Sequence, residues 1–461
     1  MSHAVQLSFV TANDLHPSIQ DWTFNGASTR ELTHCYHDYP ARMIQQVAGK
    51  LLDMFAATDA KLLFDPYFGT GTSLVEGLIR GLNVVGTDLN PLARLIAQAK
   101  TSVVDLHIVD QEISRYNRYA LRAKAPSFSE ELLIAGISRL DFWFKPEVTQ
   151  KLIRLKSFIE KITDADARRF FQVAFSETVR ESSNTRNNEF KLYRYDDSML
   201  KKFNPDVFGI MATKLKRNRD GLQKFLAIMH NFNRLPRSSV HDFNTVLEIP
   251  ETRIAPASVD IVVTSPPYGD SHTTVAYGQY SRLSAAWLEL EEPDKIDNKL
   301  MGGKTLKKIP TFSCATLDES LKRVAHVDLK RALEVSAFYS DLRDSIVNVA
   351  QVIKPGGYAC YVVGNRKVKG VVLPTDLSVR CFFEQSDFDY IDTFHRSIPN
   401  KRMPLRNSPS NETGVVDHTM VQEYIVVMRR KLSRAIKERR TPLKVLAKRR
   451  TPNGKQKTSR R

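Results

Sequence analysis

The stretch DIVVTSPPYG, residues 260–269, places a hydroxyl, two prolines and an aromatic ring directly after a short β-branched run. Such a run is typical of a strand covered on both faces, and the prolines, which lack an N–H, must end it at Thr264 or Ser265. The loop would then present Tyr268 at the carboxyl end of the strand, where open α/β sheets bind ligands. A rigid loop with a hydroxyl, unclaimed carbonyls and an aromatic face could hold a flat polar group such as a nucleobase. A strand terminator with a packing tyrosine explains this stretch equally well.

A second chemical pattern lies in LLFDPYFGTGTS, where Asp65 closes a strand and Gly69 and Gly71 open a helix. Leu74 stands where a dinucleotide fingerprint has its third glycine, and the Gly-Lys-Ser/Thr ending of a P-loop is absent. An acid beside this loop repels pyrophosphate and suits a cationic ligand such as an ammonium or a sulfonium. Asp88 follows about 20 residues later, where an acid usually binds ribose hydroxyls. A nucleoside joined to an amino acid without phosphate describes S-adenosylmethionine. A nucleotide-like fold with structural acids is the alternative.

The motifs DPYFGTGT and TSPPY resemble the cofactor and catalytic motifs of the amino-group DNA methyltransferases, and the second is closest to the cytosine-N4 branch. Tyr67 and Phe68 stand where the commonest form has a single Phe before a variable residue, which is a mild departure. THCYHDYPARM resembles the segment that closes over the methionine end of the cofactor in this family. For S-adenosyl-L-methionine the resemblance implies the binding residues Tyr39, Pro40, Asp65, Phe68, Gly69, Gly71, Thr72, Asp88, Leu89 and Asp242.

The resemblance implies the catalytic residues Ser265, Pro266, Pro267 and Tyr268. The exocyclic amine of cytosine is a poor nucleophile, so acceptors for its N–H bonds should strengthen as positive charge builds in the transition state. Ser265 Oγ and the Pro266 carbonyl are the expected acceptors, and Tyr268 would stack on a base flipped out of the duplex. Transfer would be direct, without a metal or a covalent enzyme intermediate.

Three other functions stay open beside cytosine-N4 methylation of duplex DNA. Ser265 favours cytosine N4, since the adenine-N6 enzymes of the family more often carry Asp or Asn at that position. An RNA amino-group methyltransferase and an inactive methyltransferase-like DNA-binding protein are the further alternatives. Methylation at cytosine C5 needs a cysteine after a proline, and none of the four cysteines follows one.

The elements that must position these motifs alternate between strands and helices. The cofactor motif lies in a βαβα pattern, the stretch from Leu317 to Ile353 is predicted to be helical, and VQEYIVVMRR is predicted to be a last core strand. This alternation predicts an α/β fold with a doubly wound, Rossmann-like methyltransferase sheet and a mostly helical insertion. The predicted parts are a cofactor half (31–105), a helical insertion that is a candidate target-recognition region (106–219), a catalytic half (220–430) and a disordered basic tail (431–461).

The positive charge of the chain is concentrated at one end. The net charge is +17, and residues 429–461 hold 15 Lys or Arg against one acid, so the other 428 residues carry only +3. A basic tail suits a polyanion, although a solvated tail that only aids solubility would have the same composition. The expected partners are double-stranded DNA and a cognate restriction endonuclease. The candidate DNA-binding residues are Arg186, Lys191, Arg194, Arg366, Lys401 and Arg402.

Location and metal content follow from simpler features. The chain has no apolar run of membrane-spanning length and no secretory signal pattern. The four cysteines are scattered without a CxxC pair, which favours reduced thiols. His34 and His37 have no evident third ligand. We therefore expect a cytoplasmic, nucleoid-associated protein without a metal and without membrane contact.

Overall fold

The computed structural model describes residues 21–40, 42–122, 134, 137–186, 191–269, 277–291, 296–398, 406–407, 417–418 and 422–432. The predicted disordered tail beyond residue 432 and the candidates Lys401 and Arg402 lie outside these ranges. Among the helices that the structure describes, none is both long enough and apolar enough to cross a membrane. The same ranges contain no group of three or more His, Cys, Asp or Glu side chains suited to a metal ion. All four cysteines are free thiols.

A seven-stranded sheet forms the centre of the molecule, in the order β3-β2-β1-β4-β5-β11-β8. The strands are β1 (Leu62–Asp65), β2 (Asn83–Thr87), β3 (Ser238–His241), β4 (Val259–Thr264), β5 (Ile353–Val363), β6 (Lys367–Val368), β7 (Val371–Val372), β8 (Phe388–Ser397), β9 (Arg406–Asn407), β10 (Asp417–His418) and β11 (Gln422–Arg430). The first five strands of the sheet are parallel, and β11 runs antiparallel to both β5 and β8. The strand order reverses direction between β1 and β4, and the crevice outside the carboxyl ends of strands at such a point is where ligands bind.

Helices cover both faces of the sheet. They are α1 (Gln45–Phe55), α2 (Thr72–Leu78), α3 (Pro91–Thr101), α4 (Leu106–Arg122), α5 (Leu140–Trp143), α6 (Pro146–Glu160), α7 (Ala165–Ser182), α8 (Asp197–Lys202), α9 (Val207–Met229), α10 (Tyr277–Trp287), α11 (Ile296–Lys299), α12 (Ala315–Val327), α13 (Leu329–Val352) and α14 (Thr375–Glu384). Along β4, Ile261 and Val263 join the core formed with α1 to α10, whereas Val262 joins the core formed with α12 to α14. The predicted doubly wound Rossmann-like sheet with a helical insertion is confirmed.

One predicted helical stretch is divided in two. Between α12 and α13, Asp328 has extended backbone dihedrals (φ −155°, ψ 94°), and its side chain accepts the N–H of Arg331 at 2.9 Å. This is N-cap geometry, in which a short acid satisfies an otherwise unpaired N–H at the start of a helix. The stretch from Leu317 to Val352 is therefore two helices that meet at Asp328, and Ile353 begins β5.

Two of the predicted segment boundaries, at residues 31 and 219, differ from the structure, whereas α4 begins at Leu106 and β11 ends at Arg430 as the other two boundaries require. The boundary at residue 219 lies inside α9, a continuous helix. The boundary at residue 31 leaves out Trp22, which is buried against the ring of Phe394 at a centroid distance of 4.9 Å. Residues of α4, α6, α7 and α9 belong to the same hydrophobic core as β1 and β4. The helical insertion is thus packed onto the sheet as part of one core.

A buried carboxylate joins this insertion to the segment before α1. Glu177 on α7 is 3% exposed and accepts the backbone N–H of Asp38 at 2.8 Å. The same carboxylate accepts from Arg217 on α9, and Lys214 lies within 3.8 Å of it. Because a buried charge is tolerated only when it is paired, Glu177 depends on Arg217, while Lys214 is bonded more closely to Glu181. It fixes the position of residues 38–40 relative to the helices.

We expect Glu177→Gln to destabilise the protein by about 3–5 kcal/mol, because it leaves the partly buried Arg217 without its closest anion. Denaturant unfolding followed by circular dichroism measures the change. The matched control is Glu160→Gln, which removes an exposed carboxylate paired with Lys156 at 3.8 Å. It should cost less than about 1 kcal/mol. Equal losses in the two variants would contradict the structural role of Glu177.

Candidate active site

The glycine loop between β1 and α2 is shaped by backbone conformations that favour glycine. Gly69 has φ +53° and Gly71 has φ +73°. A Cβ on Gly71 would lie 3.0 Å from the Cβ of Ala97 on α3, so a side chain there would be both strained and crowded. The N–H of Gly69 donates to the Asp88 carboxylate at 3.0 Å. The loop therefore brings its backbone against the end of β2.

Asp65 ties the glycine loop to the end of β4. Its carboxylate accepts the hydroxyl of Thr264 at 2.5 Å, the N–H of Tyr67 at 3.0 Å and the hydroxyl of Ser73. The side chain is buried, and burial raises the pKa of Asp65 to about 6 although these three donors oppose the shift. The sequence predicts that this acid faces a cationic ligand. In the structure its oxygens are already engaged, so it also holds two loops together.

Asp88 lies at the end of β2, where the acid for ribose hydroxyls was predicted. It accepts the N–H of Asn90 at 2.8 Å as well as that of Gly69, and burial raises the pKa of Asp88 to about 6. Each carboxylate oxygen has a second lone pair, so the group can still accept from a ligand. Asn90 caps α3 and donates to the hydroxyl of Tyr39 at 2.7 Å and to that of Ser281 at 2.6 Å. These bonds place Tyr39 beside Asp88.

The SPPY loop leaves the sheet directly after β4, which ends at Thr264 as predicted. Ser265 and Pro267 are half-buried, and Pro266 is buried. Gly269 has φ +154°, and a Cβ there would lie 2.0 Å from a guanidinium nitrogen of Arg366. The candidate DNA-binding residue Arg366 therefore packs directly against the catalytic loop.

The two loops open into a common cavity of about 640 Å³ at the carboxyl ends of β1, β2 and β4. The predicted site residues that line it are Tyr39, Pro40, Asp65, Phe68, Gly69, Thr72, Asp88, Leu89, Asp242, Ser265 and Pro267. Gly71, Pro266 and Tyr268 belong to the same loops but are not among the residues that line this cavity. Cofactor-motif and catalytic-motif residues thus face one space, and this arrangement is the feature that direct group transfer requires.

Several lining residues were not predicted from the sequence. Thr70, Phe243 and Tyr277 line the cavity, and the ring of Tyr277 stacks on that of Tyr39 at 5.9 Å. Residues 298–301 and 303–304 form a further wall, held where Gly302 donates its N–H to Asp341 on α13 at 2.8 Å. The Gly302–Gly303 pair is a turn signal that could have indicated this wall. Nothing in the sequence pattern of α13 singled out Asp341.

The lining fits S-adenosylmethionine. The Thr70 hydroxyl is buried without a hydrogen-bond partner in the described part of the chain, so it is free to bond a polar group in the cavity. Two carboxylates, Asp88 and Asp242, and two apolar surfaces, Leu89 and Phe243, meet at one end. Polar acceptors beside apolar walls suit a ribose and an adenine ring, and the cavity volume lies within the range of cofactor sites, roughly 300–1,000 Å³.

The candidate DNA-binding residues are spread over the surface. Arg186 is exposed and Lys191 is half-buried in the segment that follows α7. Arg194 donates to the carbonyl of Phe142 at 3.1 Å, stacks over that ring and pairs with Asp197 at 3.2 Å. Its guanidinium is therefore committed to local contacts. The structure does not bring these three residues to the cavity lining, and their role stays a prediction.

The chain is similar in sequence to characterised methyltransferases. No family model matches it. The Type II methyltransferase M.MvaI of Kocuria varians is 40% identical over 429 residues, which cover 89% of this chain and 94% of that protein. The Type II methyltransferase M.MjaII of Methanocaldococcus jannaschii is 28% identical over 158 residues, which cover 31% of this chain and 29% of that protein. The first similarity spans nearly the whole of both chains.

Solved structures are more distant. The rRNA methyltransferase aviRa from Streptomyces viridochromogenes is 10% identical, with 86% of this chain and 88% of that chain covered at a TM-score of 0.30. A SAM-dependent methyltransferase from Methanosarcina mazei is 8% identical, with 83% and 98% covered at a TM-score of 0.30. At TM-scores of 0.30 these structures say nothing about the site, whose function is inferred from its own geometry and from the sequence similarity to M.MvaI.

We expect the affinity for S-adenosylmethionine to fall as the pH drops through about 6, where burial places the pKa of Asp88. Ligand hydroxyls favour the ionised carboxylate, so below that pH binding must release a proton and can weaken by up to about tenfold per pH unit and proton. Titration calorimetry between about pH 5 and 7, roughly one unit either side of the pKa, measures the slope.

Asp88→Asn should bind more weakly at neutral pH and show a shallower pH dependence, with Asp65 supplying the remainder because burial also raises its pKa to about 6. Asp59→Asn, at an exposed turn, is the control and should follow the parental curve. An Asp88→Asn variant with the parental affinity and slope would exclude this carboxylate from the cofactor site.

Proposed function

The chain belongs to the type II methyltransferases, and from this premise we propose that it methylates the exocyclic N4 amine of cytosine at a specific site in duplex DNA. The methyl donor is S-adenosyl-L-methionine, and the proposed setting is a restriction-modification system with a cognate endonuclease. The observation that carries the proposal is the common cavity, in which Asp88 and the glycine loop face the same space as Ser265 and Pro267.

The cofactor half of the cavity offers a place for each part of the donor. Asp88 is positioned to accept ribose hydroxyls, Asp242 to accept the adenine amino group, and Leu89 to pack on the base. Thr70 belongs to the glycine loop and is suited to the amino-acid end, and by the family resemblance Tyr39 belongs to the segment that closes over the methionine end. When bound, S-adenosylmethionine supplies an electrophilic methyl group on a sulfonium. The protein's own contribution is to hold the target amine in line and to accept its N–H bonds.

The acceptors for these bonds are the Ser265 hydroxyl and the Pro266 carbonyl. Their attraction for the amine increases as its nitrogen gains positive charge, so they lower the barrier more than they strengthen ground-state binding. The two proline rings restrict the loop, which keeps both acceptors from turning away. Tyr268 is the proposed stacking surface for the flipped base and would offset part of its unstacking energy.

The choice of base rests on the first residue of the catalytic motif. Ser265 favours cytosine N4 through the family resemblance, because Asp or Asn is more frequent in the adenine-N6 enzymes. For target recognition we propose the helical insertion (106–219), with Arg186, Lys191 and Arg194 as candidate contacts. Arg366 beside Gly269 is the candidate nearest the catalytic loop.

The reaction product tests the proposed function. Incubation with labelled S-adenosylmethionine and unmethylated duplex DNA, followed by nucleoside digestion and mass spectrometry, should yield N4-methylcytosine. N6-methyladenine would overturn the choice of base. Label that appears only when RNA replaces DNA would overturn the substrate class. A protein that binds DNA but transfers no label to either polymer would favour the inactive alternative.

We expect Ser265→Ala to lower the rate of methyl transfer by about one to two orders of magnitude, with cofactor affinity nearly unchanged, because it removes an acceptor used mainly in the transition state. Single-turnover transfer measures the rate, and calorimetry measures the affinity. Ser320→Ala on α12 removes a hydroxyl that bonds only the carbonyl of Thr316, so it should react at the parental rate. Parental activity in Ser265→Ala would remove the proposed role of this hydroxyl.

A further inference from the structure

A hydrogen-bond chain leads from the catalytic serine to an ion pair on the far side of β5. Ser265 Oγ lies 3.2 Å from the hydroxyl oxygen of Tyr268, and that oxygen lies 2.9 Å from Glu423 Oε1. Glu423 stands on β11, and its other carboxylate oxygen accepts from Arg396, which lies directly opposite on β8. The side chains of Arg396 and Glu423 are only 9% and 14% exposed. The ion-pair end of this hydrogen-bond chain is therefore largely shielded from water.

The chemistry of the carboxylate gives this chain a direction. An ionised carboxylate can only accept hydrogen bonds, so Tyr268 must donate its proton to Glu423. The oxygen of Tyr268 is then left to accept, and the proton of Ser265 points toward it. The remaining lone pairs of Ser265 Oγ are available on the side of the cavity that this residue lines. The serine hydroxyl is thus held as an acceptor.

Two features keep this direction fixed. Burial and the nearby Glu423 carboxylate raise the pKa of Tyr268 well above its usual value, so the phenol keeps the proton that it donates. Arg396 occupies Oε2 of Glu423, so Oε1 is the oxygen left for Tyr268. In water a serine hydroxyl rotates freely between donor and acceptor orientations. Here one orientation is selected before any substrate enters.

We propose that Glu423 is a positioning residue that acts through Tyr268 to hold Ser265 as the hydrogen-bond acceptor for the target amine. The inference rests on the proposed function, since an amine nucleophile is what needs an acceptor at Ser265. Preorganisation of this kind costs nothing at the moment of reaction, because the dipole already points the right way. Glu423 itself does not touch the substrate.

Replacing Glu423 by Gln should reverse the direction in which protons are donated along the hydrogen-bond chain. The amide oxygen would remain with Arg396, which can only donate, and the amide NH₂ would face Tyr268. Tyr268 would then accept from that amide and turn its own proton toward Ser265. The serine proton would then point into the cavity. There it would repel the N–H groups of the target amine, because both groups are hydrogen-bond donors. Glu423→Asp is shorter but keeps both the charge for Arg396 and the accepting character.

The experiment is a double-mutant cycle in single-turnover methyl transfer from labelled S-adenosylmethionine to unmethylated genomic DNA. Glu423→Gln should slow transfer by roughly one to two orders of magnitude while the Kd values for cofactor and DNA stay within about twofold. Glu423→Asp should retain more activity than Glu423→Gln. In a Tyr268→Phe background, which lacks the connecting oxygen, Glu423→Gln should cause no further loss. Glu384→Gln, which removes the partner of Arg380 on α14, is the matched control.

An equal loss from Glu423→Gln in both backgrounds would overturn the inference, since a merely structural role of the ion pair would not depend on the phenol. Parental activity in Glu423→Gln, or more activity there than in Glu423→Asp, would overturn it as well. If Glu423→Gln fails to fold, Glu423→Asp carries the comparison, because it should respond to the Tyr268→Phe background in the same way. A parental protein that transfers no label to DNA would overturn the proposed function and, with it, this inference.

Discussion

The carboxylate of Asp65 is the constraint on which the rest of the site depends. It lies at the end of β1, and it accepts the hydroxyl of Thr264 at the end of β4 and that of Ser73 at the start of α2. A buried carboxylate is costly unless donors surround it, so these bonds can hardly be exchanged for others. Because they join neighbouring strands, the glycine loop and the SPPY loop are fixed relative to each other. A shift of either loop would leave a buried acid unsatisfied.

The helical insertion supports the same cavity from the opposite side. Glu177 on α7 holds the backbone of Asp38, and Arg180 on the same helix stacks on the ring of Tyr280 at 4.0 Å. Tyr280 in turn donates to the carbonyl of Asp38 at 2.7 Å, next to Tyr39 in the cavity wall. The insertion is therefore joined to the cofactor wall through direct contacts. This follows from the shared core, in which the described residues of α4, α6, α7 and α9 pack onto the sheet.

Local patterns in the sequence predicted those parts of the protein that depend on local physics. The β-branched run of β4, its termination by proline and the glycine conformations at Gly69 and Gly71 are properties of short stretches, and the family resemblance then supplied site residues for both loops. The sequence did not predict the break at Asp328, because an acid inside an apolar helical pattern is equally typical of an exposed position on a continuous helix and of an N-cap between two helices. The engagement of Asp65 with Thr264 joins residues 199 apart, and the bond from Tyr268 to Glu423 joins residues 155 apart. Periodicity carries no information about such pairs, since it reports which face of an element is buried and not what meets it.

Carboxylates set the direction of hydrogen bonding throughout the site. Asp65 orients the hydroxyls of Ser73 and Thr264, Asp88 orients the N–H of Gly69, and Glu423 orients Tyr268. Each acid can only accept, so every hydroxyl that reaches it donates its proton to the acid and keeps its oxygen lone pairs free to accept from another group. A site arranged in this way suits a ligand rich in N–H and O–H groups and a reaction in which positive charge develops. The burial that raises the pKa of Asp65 and Asp88 to about 6 also makes these carboxylates strong acceptors at neutral pH, because little water competes for them. The polarity of the cavity is thus a consequence of where the fold buries its acids.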